Sequence, residues 1–250
     1  MPKTAAKPAA RTVRKPAAKT VAFPDRFEGF ADTERRFFRA LARNQRREWW
    51  DEHRAEYDTG WLAPMRALLD EVRERIEADF PQQPLAAPKV FRIHRDVRFS
   101  KDKSPYKTHI GGYIGIEGAG AGPSAPAPLY LHLGVDEAFA CAGHYMMDGA
   151  QLTRFRAAVA GDRTGVQFTA LLGPLVKAGF TVSSHDSLQK VPRGFDPGHP
   201  RADLLRRKGL IVAFPALPAE LLPSRRLLHW VVRHVRRAAP VVEWLAAVNE

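Results

Sequence analysis

The residues of this chain best placed to do chemistry lie between Phe91 and His109, in the stretch FRIHRDVRFSKDKSPYKTH. Arg92, Arg95, Arg98, Lys101, Lys103 and Lys107 are gathered there, with Asp96, Asp102, His94 and His109 among them. Arginine forks two hydrogen bonds onto a phosphate or carboxylate, and lysine adds a mobile point charge. The types therefore suit an anion, and the ligand classes they suggest are a nucleotide or a nucleic acid. Read as a strand, the segment divides in two. Phe91, Ile93, Val97 and Phe99 share an apolar face with Arg95. Arg92, His94, Asp96, Arg98 and Ser100 share a polar one. On that reading Arg92 and Arg98 stand roughly 20 Å apart, a span suited to an extended anion. The competing reading is a lattice of ion pairs in which Asp96 and Asp102 tie the bases down. Exposed pairs of that kind contribute only about 0–1 kcal/mol each, which makes a dense cluster an inefficient route to stability.

Two further chemistries are open to the same residues. Asp96 with His94 or His109 has the composition of an acid–base pair beside an arginine-bound phosphate, which would make the protein an enzyme on a phosphorylated or carboxylated small molecule. His94-Arg95-Asp96 also spells His-x-Asp, a pattern shared with facial metal triads, with His109, His132 or His144 as a third ligand. The surrounding positive charge opposes a cation, so no metal is assigned, and no cofactor is implied. A non-enzymatic module for an acidic protein is the third class. No nucleophile elbow, phosphate loop or dinucleotide fingerprint occurs. Gly111-Gly112 suits a strand bend or a close approach instead. Arg193, in the turn Lys190–Phe195, is a candidate second contribution to the ligand.

These residues need a scaffold, and the pattern predicts one that is α+β. Phe30, Phe37, Phe38 and Leu41 recur at helical spacing after a capping residue, Asp32 or Thr33. Asn44-Gln45 reads as a break. Further helices are expected over Arg46–Tyr57 and Leu62–Phe80. Strands are expected over Val90–Phe99, His109–Ile116, Leu129–Val135 and Ala138–Met146, forming a mainly antiparallel sheet. Glu117–Pro128 reads as a flexible loop. Helices return over Ala150–Val159, Thr164–Ala178 and His199–Lys208, with strands at Phe180–Ser183 and Leu210–Phe214. Ser224–Asn249 closes the chain as one or two helices interrupted near Pro240. Its arginines, Arg225, Arg226, Arg233, Arg236 and Arg237, alternate with apolar positions, the pattern of a packed helix with a solvated face.

The chain has 250 residues and a net charge of +12. Lys3, Lys7, Arg11, Arg14, Lys15 and Lys19 supply half of that excess, ahead of the first acid, Asp25. Residues 1–22 read as a disordered basic tail and residues 23–250 as a single domain. The single cysteine, Cys141, reads as a small core residue and permits no internal disulfide. With no apolar run near the roughly 18 residues needed to span a bilayer, the expectation is a cytoplasmic protein without a membrane partner.

The segment RDVRFSKDKSPYKTH resembles the hallmark of domain-of-unknown-function family 2461. Other stretches agree in order. They are Asn44-Gln45 with Arg47-Glu48-Trp49-Trp50, Tyr130-Leu131-His132-Leu133, and Lys190–Phe195. His199-Pro200 and Leu204-Leu205-Arg206-Arg207-Lys208 follow. The resemblance spans roughly Phe23 to Leu245. The basic tail, the Gly/Pro loop after Glu117 and Asn-Gln in place of Asn-Asn depart from the pattern. It implies no catalytic residues, so the chemistry rests on the residues themselves.

Overall fold

A computed structural model describes residues 26–120 and 124–249. The expected tail over 1–22 and residues 121–123 of the Gly/Pro loop lie outside the described residues.

Helix α1 (Arg36–Arg43) buries Phe37, Phe38 and Leu41. Its capping is unusual. Arg35 takes a left-handed conformation, φ 57° and ψ 37°. That turn brings Asp32 back, and its carboxylate accepts from the amides of Arg36 and Phe37, both at 2.9 Å. Asp32 thus satisfies two of the first-turn donors from outside the N-cap position. The break at Asn44-Gln45 is present, and α2 (Arg47–Tyr57) follows it. One π-helical turn, Asp58–Leu62, leads into α3 (Ala63–Ile76). An aromatic cluster fastens this region, with Phe38 and Trp61 ring centroids 4.7 Å apart and Phe37 and Tyr57 5.7 Å apart.

The sheet has six strands: β1 (Lys89–Val90), β2 (His109–Ile114), β3 (Pro126–Gly134), β4 (Ala138–His144), β5 (Thr181–Ser183) and β6 (Leu210–Ala213). Their order is β1-β2-β3-β4-β6-β5, and each neighbouring pair is antiparallel. The expected meander is therefore its first four strands. Between β4 and β5 lie α4 (Gly149–Ala160) and α5 (Asp162–Lys177). The short α6 (Ala202–Arg206) precedes β6. The expected helix over His199–Lys208 shrinks to those five residues.

Period-two alternation gives the sheet two unlike faces. Ile110, Ile114, Leu129, Leu131, Leu133, Ala140, Ala142 and Val212 are buried against the layer containing α3 and α7 (Arg226–Asn249). Gly112 belongs to this side: a Cβ there would stand 2.6 Å from Leu69 Cδ1 of α3, so the glycine permits the close approach of the helix. On the opposite face Tyr113, Tyr130, Phe139, Cys141, Ile211 and Ala213 are all partly exposed.

Two sequence expectations need correction. Helix α7 runs unbroken through Pro240. Proline removes one backbone donor, but Val235, Ala238, Ala239, Val241, Val242 and Leu245 keep one buried face across it, and that packing outweighs a single lost bond. Arg236 of its solvated face donates to Asp79 Oδ2 at 2.9 Å and to the Arg75 carbonyl at 2.8 Å. The strand expected over Val90–Phe99 ends at Val90.

Candidate functional site

Beyond β1 the chain continues as an irregular arm that pairs with itself at intervals. The Phe91 amide donates to the Gly111 carbonyl at 2.9 Å, Lys107 to Ile93 at 2.8 Å, and Arg95 to Pro105 at 2.8 Å. His94 and Tyr106 form an isolated bridge. Residues 96–104 make the tip. The core-like face expected for this segment does not form: Ile93 is buried, but Phe91 is 40% exposed and Phe99 94% exposed. The cause is local chemistry. Asp102 Oδ1 accepts from the Ser104 amide at 2.9 Å and from its hydroxyl at 2.6 Å. Lys103 Nζ donates to the Val97 carbonyl at 2.9 Å. Such side-chain bonds compete with a strand ladder, and Pro105 has no amide to offer one.

The turn-back creates an open cleft of about 460 Å³ lined by Ala42, Gln45, Arg95, Asp96, Asp102, Ser104, Tyr106, Lys107, Thr108 and His109. Of the sequence candidates, Arg95, Asp96, Lys107 and His109 are brought together here. Arg92, His94, Arg98, Lys101 and Lys103 lie outside the lining. His94 packs against Trp50 and Tyr106, at centroid distances of 5.9 and 5.2 Å. Arg98 forks onto Asp96 through Nε at 2.9 Å and Nη2 at 2.7 Å, which holds that carboxyl below its ordinary range. Arg193 is exposed, in a turn closed by the Phe195 amide on the Pro192 carbonyl at 3.3 Å, and does not line the cleft.

Arg95 pairs with Asp102. The Ser104 bonds, with Arg95, hold the Asp102 carboxyl down at about 2. Among the described residues Lys107, like Arg92, Lys101 and Lys103, joins no ion pair, but it alone of these four is partly buried. Its Nζ stands 5.4 Å from the Phe91 ring centroid. Burial first, then Arg92 and Arg95, push its pKa below the ordinary lysine value.

Gln45 holds the cleft together, a role that sequence reasoning missed. It donates from Nε2 to the Leu41 carbonyl at 3.1 Å and accepts from the Tyr106 amide at 3.0 Å. The available signal was the break it makes between two helices, where a free amide side chain can reach another segment. Gln45→Ala strips the partner from a donor on a buried residue, so a stability loss of about 1–2 kcal/mol is expected. Urea unfolding of the two proteins measures it, and an unchanged midpoint would mean that water replaces the side chain.

At the inner end, His109 packs tilted against His132 with centroids 4.2 Å apart. His132 receives or gives a hydrogen bond at 3.0 Å to the Tyr130 hydroxyl and stacks on Phe139 at 4.9 Å. Burial pushes both imidazoles down to about 4. His132 and Lys107 add to the shift at His109, and Arg35 adds to that at His132. Both are therefore neutral at pH 7. Below about 6.5 the unfolded chain takes up protons that the folded chain refuses, so stability present at neutral pH is lost as pH falls from 6.5 toward 4. With the discount due to partial solvent contact, about 2 kcal/mol should disappear between pH 7 and pH 5. Urea unfolding at both pH values tests this. His132→Phe should flatten the slope, and an equal slope in that variant would assign it to other groups.

Among the described residues, no group of three or more His, Cys, Asp or Glu side chains is placed to hold a metal ion, and no helix is long and apolar enough to cross a membrane. Burial raises the Cys141 thiol to about 12.

The fold and cleft define an α+β protein with an antiparallel sheet, helices layered on one face, and a basic arm folded over its first strands. The family model described as conserved hypothetical protein, domain-of-unknown-function family 2461, matches residues 34–244, and the chain belongs to that family. No curated protein matches it.

Proposed function

We propose that the cleft binds a phosphate-bearing ligand, with Lys107 and Arg95 as its principal cations and His109 as a neutral hydrogen-bonding partner. The observation that carries this reading is Lys107. Its ammonium is partly enclosed, sits in the positive field of Arg92 and Arg95, and joins no carboxylate among the described residues. A salt-bridge lattice built for stability would not leave such a charge uncompensated, whereas a phosphate entering the cleft relieves the repulsion. Asp96 then acts by orienting Arg98, and Asp102 by orienting Arg95. Arg92, Lys101 and Lys103 contribute long-range attraction from the rim. A nucleotide or nucleic acid is the ligand class, and its phosphate is what the cleft recognises.

Thermal unfolding of the full chain with inorganic phosphate, a sugar phosphate and a nucleoside 5′-monophosphate tests the reading, at low and at moderate salt. A ligand at one hundred times its Kd should stabilise by about 2.7 kcal/mol. No stabilisation by any of the three would overturn it.

One observation favours an enzymatic version: Asp96 and His109 line the same cleft. A neutral imidazole beside a bound phosphate is able to accept a proton. If turnover of a phosphomonoester is found, His109→Gln should remove it while phosphate still stabilises the protein.

A further inference from the structure

We infer that the open face of the sheet beside this cleft is a stacking platform for the bases of a single-stranded nucleic acid. The inference rests on the phosphate reading above and extends it to the rest of the ligand.

Strand register builds the platform. Phe91 follows β1, and its amide bonds to Gly111. Lys89 pairs with Tyr113, Tyr113 with Tyr130, Gly111 with His132, and His132 with Phe139. Four aromatic side chains and one imidazole thus occupy neighbouring positions on one face. Phe91 and Tyr113 lie nearly parallel, at 27° with centroids 5.4 Å apart. Tyr130 is 6.2 Å from Phe91 and 5.8 Å from Phe139. The Tyr130 side chain lies across the buried Gly111, where a Cβ would stand 3.0 Å from its hydroxyl.

The aromatic cluster of α1 and α2 and the π-helical turn is largely buried, with Phe37, Phe38, Trp50, Tyr57 and Trp61 all in the core. On the open sheet face Phe91 is 40% exposed, and Tyr113, Tyr130 and Phe139 keep partial exposure. Leaving such rings in water forgoes burial energy. The charge at the border says what covers them. Lys89 and Arg92 are exposed beside Phe91, and Lys107 stands over its ring. Glu137 stands 3.5 Å from His132 Nε2, at the opposite end of the rim from Lys89, Arg92 and Lys107. A patch of partly exposed rings, Tyr130 inclined at 63° to Phe91 and 56° to Phe139 and the whole edged with positive charge, fits a strand whose bases are unstacked and whose phosphates are bare. His109 belongs to both the cleft and the face, so a phosphate held at Lys107 delivers its neighbouring base toward Phe91.

The test separates the platform from simple attraction between the chain's excess positive charge and a polyanion. Fluorescence anisotropy is measured with the full chain at moderate salt, using a labelled short oligodeoxythymidylate and an abasic strand of the same length. The base-bearing strand should bind at least about fivefold tighter. Phe91→Leu, which keeps an apolar side chain without a π face, should erase that preference. Phe91→Trp should preserve it. Equal binding of the two strands, or a preference untouched by Phe91→Leu, would overturn the platform. Should either result occur while inorganic phosphate still stabilises the protein, the platform fails and the phosphate cleft stands. Should phosphate also have no effect, both fail.

Discussion

Replacing Lys107 with methionine is expected to raise the unfolding temperature of the ligand-free chain and to weaken its affinity for phosphate tenfold or more. Ordinary surface substitutions do not move these quantities in opposite directions. Burial, Arg92 and Arg95 all disfavour the Lys107 ammonium, so removing the charge relieves the empty protein. Methionine keeps the unbranched stem and its packing near Phe91. The bound state loses a charge-assisted hydrogen bond of about 1.5–3 kcal/mol, which is tenfold or more in affinity. Calorimetric titration with a nucleoside monophosphate and a thermal scan of the apo protein measure the two effects. A lower unfolding temperature with unchanged affinity would return Lys107 to a structural role.

The second large effect is expected at Gly143. This residue lies in β4, paired with Ile211 of β6 and with Ala127 of β3, and its φ is +126°. L-residues rarely adopt that conformation. A Cβ would also stand 2.2 Å from the Leu210 carbonyl oxygen, a backbone atom that cannot swing aside. Strain and overpacking each cost about 1–3 kcal/mol, so Gly143→Ala should destabilise by about 3 kcal/mol or more. For a chain of this size that lowers the unfolding midpoint by about 6–12 °C. Gly149→Ala is the control: nothing lies within 4 Å of a Cβ there, and stability should hold. Circular dichroism melts compare the two. Equal midpoints would show that β4 and β6 can move apart without cost.

The same contrast between local and long-range information runs through the molecule. Periodicity located α2, α3 and strands β2 to β4 to within a few residues, because each buries a whole face and its apolar spacing must match its geometry. Asn44-Gln45 announced a break, but not that Gln45 would reach Tyr106, a contact across sixty-one positions. Pro240 argued for an interruption that packing of α7 against the sheet overrides. Phe91–Phe99 carried strand-like alternation, yet Asp102, Ser104 and Lys103 satisfy their own tip, and Val97 and Phe99 find no opposing layer.

What the sequence by itself determined is the α+β class, the antiparallel meander, the family and the concentration of charge between Arg92 and Lys107. These follow from composition and from periods of two and three to four residues, which any local window contains. Only the tertiary structure decided which of those charges meet. It sent Arg98 to Asp96 and Arg95 to Asp102, left Lys107 without an ion pair among the described residues, and set Phe91, Tyr113, Tyr130 and Phe139 on one partly exposed face. Ion pairing and face sharing depend on where a turn reverses and which strands become neighbours, and those distances in space are not written in distances along the chain.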